Sequence, residues 1–152
     1  MAPSQQHIKD LFSDVLQSQS GRSLNIQTAI TDKLATIQKL MSPDIKAHVV
    51  GQESLDAGDL VGSQAILDFL GRQYMPALLT AVDTSQPINS EVVRVISGDD
   101  SPWAAVEFKT TATRKGGAPW VHEQVVIMKF DEQGKIAESR GYMNTQVTAA
   151  SA

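Results

Sequence analysis

Trp120-Val121-His122-Glu123-Gln124-Val125-Val126-Ile127-Met128-Lys129-Phe130, then Asp131-Glu132-Gln133-Gly134, then Lys135-Ile136-Ala137-Glu138-Ser139-Arg140-Gly141-Tyr142-Met143-Asn144, is the stretch that decides the fold. The run to Phe130 is long and rich in β-branched residues, so it predicts a strand. Asp131 to Gly134 has the composition of a tight turn, and Lys135 to Asn144 predicts a strand running back. Upstream, Lys115-Gly116-Gly117-Ala118-Pro119 carries hairpin-turn chemistry. Before it, Trp103 to Thr113 continues the β pattern through Val106, Phe108, Thr110 and Thr111. Glu91-Val92-Val93-Arg94-Val95-Ile96 is a further β-branched run, closed by Ser97-Gly98-Asp99-Asp100. The C-terminal half is therefore an antiparallel meander of four strands.

The N-terminal half has a different period. Ile8, Leu11, Phe12, Val15 and Leu16 recur at helical spacing between Gln5 and Ser18, and Ile26, Ile30, Leu34, Ile37 and Met41 do so again. Ser42-Pro43 stops the second pattern, because a proline disfavours the α conformation of the residue before it. Asp44 to Gly51 reads as a short strand, and Gln52 to Val61 as a turn-rich stretch around Asp56-Ala57-Gly58-Asp59. A third helix is predicted from Ser63 as N-cap, with Ile66, Phe69, Leu70 and Tyr74 on its apolar face, bent or ended at Pro76. Helices segregated from a meander give an α+β domain. A single domain over residues 1–152 is expected, with an N-terminal helix and turn over 1–22 and a flexible tail over 147–152.

Composition narrows the function. The 152 residues carry 13 Lys and Arg against 17 Asp and Glu, a net charge of −4. No basic stripe suits a nucleic-acid backbone, and no window is apolar and long enough to span a bilayer. Met1-Ala2-Pro3-Ser4-Gln5-Gln6 lacks the features of a secretion signal. Zero cysteines exclude disulfides, thiol nucleophiles and thiolate metal sites. A soluble, cytoplasmic protein is the expectation. There is no phosphate-binding glycine loop, nucleophile elbow or metal-binding helix, so no cofactor and no metal is called for.

Particular words in this order resemble the nuclear transport factor 2-like superfamily, also called the SnoaL-like or ketosteroid isomerase-like fold. They are Leu40-Met41-Ser42-Pro43-Asp44-Ile45, Leu60-Val61-Gly62-Ser63-Gln64-Ala65-Ile66, and Val126 to Ile136 followed by Glu138, Arg140 and Tyr142. The resemblance spans roughly Leu24 to Gln146. It implies a curved antiparallel sheet wrapped over three N-terminal helices as a cone-shaped barrel, with a pocket inside and a homodimer as the usual assembly. It does not imply one reaction, since the superfamily holds isomerases, cyclases, dehydratases, epoxide hydrolases and binding domains; the site must decide.

The candidate chemistry centres on two strand histidines, His122 and His48, because an imidazole in a pocket is poised as a proton shuttle near neutral pH. Strand alternation puts His122, Gln124, Val126, Met128 and Phe130 on one face and Val121, Glu123, Val125, Ile127 and Lys129 on the other. The resemblance makes the first face the pocket, since ketosteroid isomerases carry their oxyanion-side aspartate at the position of Val126. That acid is missing here, and no carboxylate stands at the base position near His48 and Val49, which argues against steroid-type isomerisation. Asn144 occupies the place of an aspartate common among SnoaL-like proteins, and it can hydrogen-bond but cannot act as a base. Asp68 and Glu107 read as solvent-side acids.

Gln124, Tyr74 and Asn144 are the expected polar contacts to substrate, with Met128, Phe69, Phe108 and Trp120 as walls. Tyr74, Trp103 and Trp120 are all expected in the core or the cavity wall. The predicted function is a cofactor-independent isomerase or cyclase for a small apolar carbonyl compound, polyketide- or terpenoid-like, in secondary metabolite biosynthesis. The alternatives are a non-catalytic ligand-binding or dimerisation module, or a dehydratase or epoxide hydrolase. No nucleic-acid or membrane partner is expected.

Overall fold

The computed structural model describes residues 2–17, 26–50, 59–98 and 100–143. The expected tail over 147–152 lies outside them, as does most of the polar break after the first helix. Helix α1 spans Gln5–Gln17 and α2 spans Ile26–Leu40, followed by strands β1 (Met41–Val50) and β2 (Asp59–Val61). A helical run then comprises α3 (Ser63–Phe69), a π-helical segment (Leu70–Tyr74) and α4 (Met75–Ala81). Strands β3 (Asn89–Ser97), β4 (Trp103–Thr113), β5 (Pro119–Phe130) and β6 (Ile136–Met143) complete the chain.

The six strands form one curved, unclosed sheet in the order β2-β1-β6-β5-β4-β3. β3 to β6 make the expected meander, but β1 lies parallel to β6, with His48 opposite Arg140 and Val50 opposite Tyr142. The sheet is therefore mixed, not purely antiparallel. A helical excursion between β2 and β3 carries the chain away from β1, so β6 docks on β1 from its far side. Register shifts in β3, in β1 and next to Phe130 supply the bends. β2 replaces part of the expected turn-rich stretch; at three residues it is too short to show a period of two.

Three other expectations change. Met41 belongs to β1 and not to α2, because the helix must end before Ser42-Pro43. Lys135 donates to the carbonyl of Lys39, one of those left free at the end of α2. Ser63 is the first residue of α3, not its cap; Gly62, at φ +91°, holds the cap position without a side-chain bond. Pro76 does not end the helical run. It stands at the start of α4, where a proline's missing N–H costs little. The helices are thus two before β1 and a composite third after β2.

The core lies between the concave face of the sheet and the helices. Ile8 of α1 is fully buried, and Phe12 meets Phe108 edge to face at 5.2 Å and 77°. Ser4 caps this helix by accepting from the His7 N–H at 3.1 Å. Alternate residues Ala104, Val106 and Phe108 of β4, and Met128 and Phe130 of β5, join Ile45, Ile66, Val92 and Ile136 in the same cluster. At the β5–β6 turn the Asp131 carboxylate accepts from the N–H groups of Gln133 and Lys135, and Gly134 takes φ +76°.

Candidate active site

β5 enters the sheet through the hairpin at Gly116 and Gly117, both at positive φ, where Arg114 and Ala118 close the turn. From there its first inward residues are Trp120 and then His122. A second cluster of Ala81, Val82 and Trp120 seals this end, and Val82 bridges to Arg114, tying the end of α4 to the hairpin. The π-helical segment sets the opposite wall. One wider turn shifts every later side chain around the axis relative to a continuous α-helix, and π segments recur at functional sites for that reason. It ends on Tyr74, whose ring stacks on Phe69 at 6.5 Å and 25°.

These elements bring three side chains together. The Tyr74 hydroxyl lies 3.3 Å from His122 Nε2. The His122 ring stacks on Trp120, centroids 5.5 Å apart and planes 13° from parallel. His122 is 3% exposed, and with Ser42 it makes up the buried polar class among the described residues. Its Nδ1 and the Trp120 Nε1 are buried without a hydrogen-bond partner. A buried polar group left unpaired costs on the order of 1–3 kcal/mol, so such atoms call for an explanation.

Burial also moves the titrations. Loss of solvation lowers the His122 pKa below its ordinary value, and the Gln124 side chain opposes this more weakly. The ring is neutral at pH 7, with one N–H and one lone pair. Burial likewise pushes the Tyr74 hydroxyl up to about 12, so it keeps its proton. This is a neutral, protonated set that can donate hydrogen bonds or pass a single proton. On α2, burial pulls the Lys33 ammonium down to about 8. In sequence it stands next to Leu34 and four residues before Ile37, within the apolar repeat of α2.

Gln124 and Met128 face inward on β5, Met128 buried and Gln124 half-buried; Phe69, Phe108 and Trp120 are buried. Phe108 lies under Phe12 of α1, deeper in the core than a wall of the His122 site. Asn144 falls outside the described residues.

His48 does not converge with His122. Ile45 and Val49 take the inward positions of β1, which turns His48 to the outer face of the sheet. There its Nδ1 meets the Asp59 carboxylate of β2 at 2.6 Å, the side chains 37% and 83% exposed. Trp103 is also on the outside, not in the core: Ala104 takes the inward position beside it, and the Lys129 ammonium lies over its ring at 5.8 Å. The acids read as solvent-side are so placed. Asp68, half-buried on α3, accepts from the Gln64 side-chain amide, and Glu107 lies 3.8 Å from Arg94.

What the sequence reading missed is the indole N–H of Trp120, treated only as a wall, and the π segment. The spacing of Trp120 two residues before His122 was a signal that could have found the first; the propensity of Leu70 to Tyr74 gave no hint of the second. An open depression of about 590 Å³, lined by Gln38, Met41, Asp44, Asp131 and Glu132 among others, sits at the other end of the sheet. It begins where β5 ends, about 30 Å along the strand from His122; its buried polar group is Ser42, whose hydroxyl is paired, donating to the Asp44 carboxylate at 3.0 Å. The His122 cluster has the better chemistry. Among the described residues no three His, Asp or Glu side chains gather as a metal ion would need, and no helix is long and apolar enough to cross a membrane.

No protein-family model matches the chain. A fungal protein (strain ATCC 74256) named dimerizing cyclase phiC is 24% identical over 115 residues, which is 76% of this chain and 48% of that protein. The chain thus spans about half the length of the curated relative it matches. Among solved structures, PrhC from Penicillium brasilianum NBRC 6234 superposes with a TM-score of 0.60 at 9% identity, covering 94% of this chain and 81% of that one. A Bacillus subtilis protein described as a candidate isomerase superposes with a TM-score of 0.63 at 13% identity, covering 93% and 89%. Both share the fold of this chain.

Proposed function

We propose that this chain is an isomerase- or cyclase-type enzyme of the nuclear transport factor 2-like superfamily, working by acid–base chemistry at His122 without a cofactor. The single observation that carries the proposal is the buried imidazole held by Tyr74 and Trp120, with one ring nitrogen unpaired. A neutral imidazole in an apolar, water-poor surrounding both gives and takes a proton near neutral pH. The aromatic and methionine walls fit a small apolar carbonyl compound, polyketide- or terpenoid-like, folded into a reactive shape by the pocket. The cyclase relative and the isomerase-like neighbour favour the same reaction class. Ile96, Trp103, Val121 and Tyr142 remain exposed on the outer sheet face, which suits a homodimer.

The test is proton exchange. Wild-type protein in deuterium oxide exchanges the protons α to the carbonyl of apolar ketones, followed by NMR. His122→Gln loses this while its melting temperature moves by no more than about 3 °C. Exchange that persists in His122→Gln removes His122 from the chemistry. The absence of a buried carboxylate among the described residues favours a second reading, binding without turnover. Tight ketone binding with no exchange by wild-type protein would select it.

A further inference from the structure

We infer that Pro76 is a positioning residue: it forces the wide turn before α4, and that turn is what carries Tyr74 round to His122. The inference rests on the reading of the Tyr74–His122 pair as the site, and names what builds it.

The helical run changes register within a few residues. The Leu70 N–H reaches back to the carbonyl of Ile66, four residues earlier, whereas the Met75 N–H reaches that of Leu70, five residues earlier. The backbone stays helical across the change, with φ −63° and ψ −45° at both Leu70 and Met75. Pro76 follows at once. In an unbroken α-helix its ring would press on the carbonyl four residues back, that of Arg72, and it has no N–H to bond there. A turn closed five residues back moves that carbonyl aside, so the π segment is what keeps the proline inside a continuous run.

The side chains carry the consequence. Along an α-helix, a residue five places on lies about 140° round the axis from the first. On a straight helix Tyr74 would therefore point away from Phe69, which is buried. Instead the two rings stack, centroids 6.5 Å apart and planes at 25°, and the Tyr74 hydroxyl reaches His122 Nε2 at 3.3 Å. The wide turn closes most of that angle, because residues five apart are hydrogen-bonded neighbours on a π turn. Pro76 itself is exposed and acts on His122 only through Tyr74.

The experiment is a reciprocal rescue. Pro76→Ala lets the turn close four residues back, which swings Tyr74 off His122. Deletion of the exposed Arg72 with Pro76 kept shifts Tyr74 by one place while the proline still holds the turn open. The two changes together give an unbroken α-helix in which Tyr74 stands four residues after Phe69, on the same face. Nuclear Overhauser contacts from the Tyr74 ring to the Phe69 and His122 rings are expected in wild type, lost in each single variant and restored in the combined one. The His122 titration, held below 6.5 by burial, is expected to move up toward 6.5 in each single variant and back down in the combined one. Ring contacts that are missing from wild type, that persist in Pro76→Ala, or that fail to return in the combined variant overturn the inference. None of these readouts needs turnover, so they stand apart from the α-proton exchange that tests the catalytic reading.

Discussion

Trp120 and His122 face the same way from β5, rings stacked 5.5 Å apart, and each buries one nitrogen that nothing in the described structure pairs. The stack makes the imidazole part of an apolar surface, which is what holds it neutral. Tyr74 closes its other edge through Nε2. The cluster carries little charge, and a hydrogen bond made in so buried a setting counts for more than in solvent.

Acid should unfold this protein partly through His122. Its folded pKa lies below the ordinary value of 6.5, so between the two values the unfolded chain holds more protons than the folded one. The stability His122 allows is complete above 6.5 and declines as pH falls from there toward the folded value. Melting temperatures at about pH 7.5 and about pH 5 should fall further for wild type than for His122→Gln. Parallel declines would assign the loss to other groups.

Helix α1 should prove to be core rather than appendage. Ile8 is fully buried in the main cluster, and Phe12 fills the space against Phe108. Ile8→Ala should cost about 2–5 kcal/mol in urea unfolding, the usual cost of a cavity at a buried aliphatic. A cost below about 1 kcal/mol would mean that α1 is peeled away in solution.

Gly71 marks how tightly the π segment meets α2. A Cβ there would stand 3.0 Å from Leu34 Cδ1. Gly71→Val should therefore destabilise by about 1–3 kcal/mol through overpacking. In a Leu34→Ala background most of that penalty should vanish, leaving a coupling energy that a double-mutant cycle in urea reads directly. Additive effects would show that the two do not touch.

How much of this was legible follows from the physics of each element. The meander was readable because the turn at Asp131 to Gly134 and the hairpin at Gly116-Gly117 have chemistry that few other structures need. Alternation along β5 put His122, Gln124, Val126, Met128 and Phe130 on one face, since a period of two admits only two answers, and the resemblance chose that face as the inward one. The parallel pairing of β1 with β6 was hidden because it joins segments some ninety residues apart, and no local pattern encodes a long-range partner. Tyr74 was legible as an apolar-face residue but not as the partner of His122: the π turn that carries it has no local signature in Leu70 to Tyr74. His48 misled because Asp44 to Gly51 has mixed alternation. Only the observed burial of Ile45 and Val49 fixes its phase.

The two histidines should therefore separate cleanly by mutation. His48 and Asp59 form a solvent-exposed pair on an edge of the sheet, where an ion pair contributes about 0–1 kcal/mol. His48→Ala should lower stability by no more than about 1 kcal/mol and leave both ketone binding and α-proton exchange at the wild-type level. His122→Gln should abolish exchange with the fold retained. β1 gives its inward positions to Ile45 and Val49, so a ligand inside the sheet cannot reach His48 without crossing the backbone. Loss of exchange in His48→Ala would place chemistry on the outer face, the surface expected to pair with a second subunit. The site would then have to be rebuilt around Asp59, His48 and Arg140.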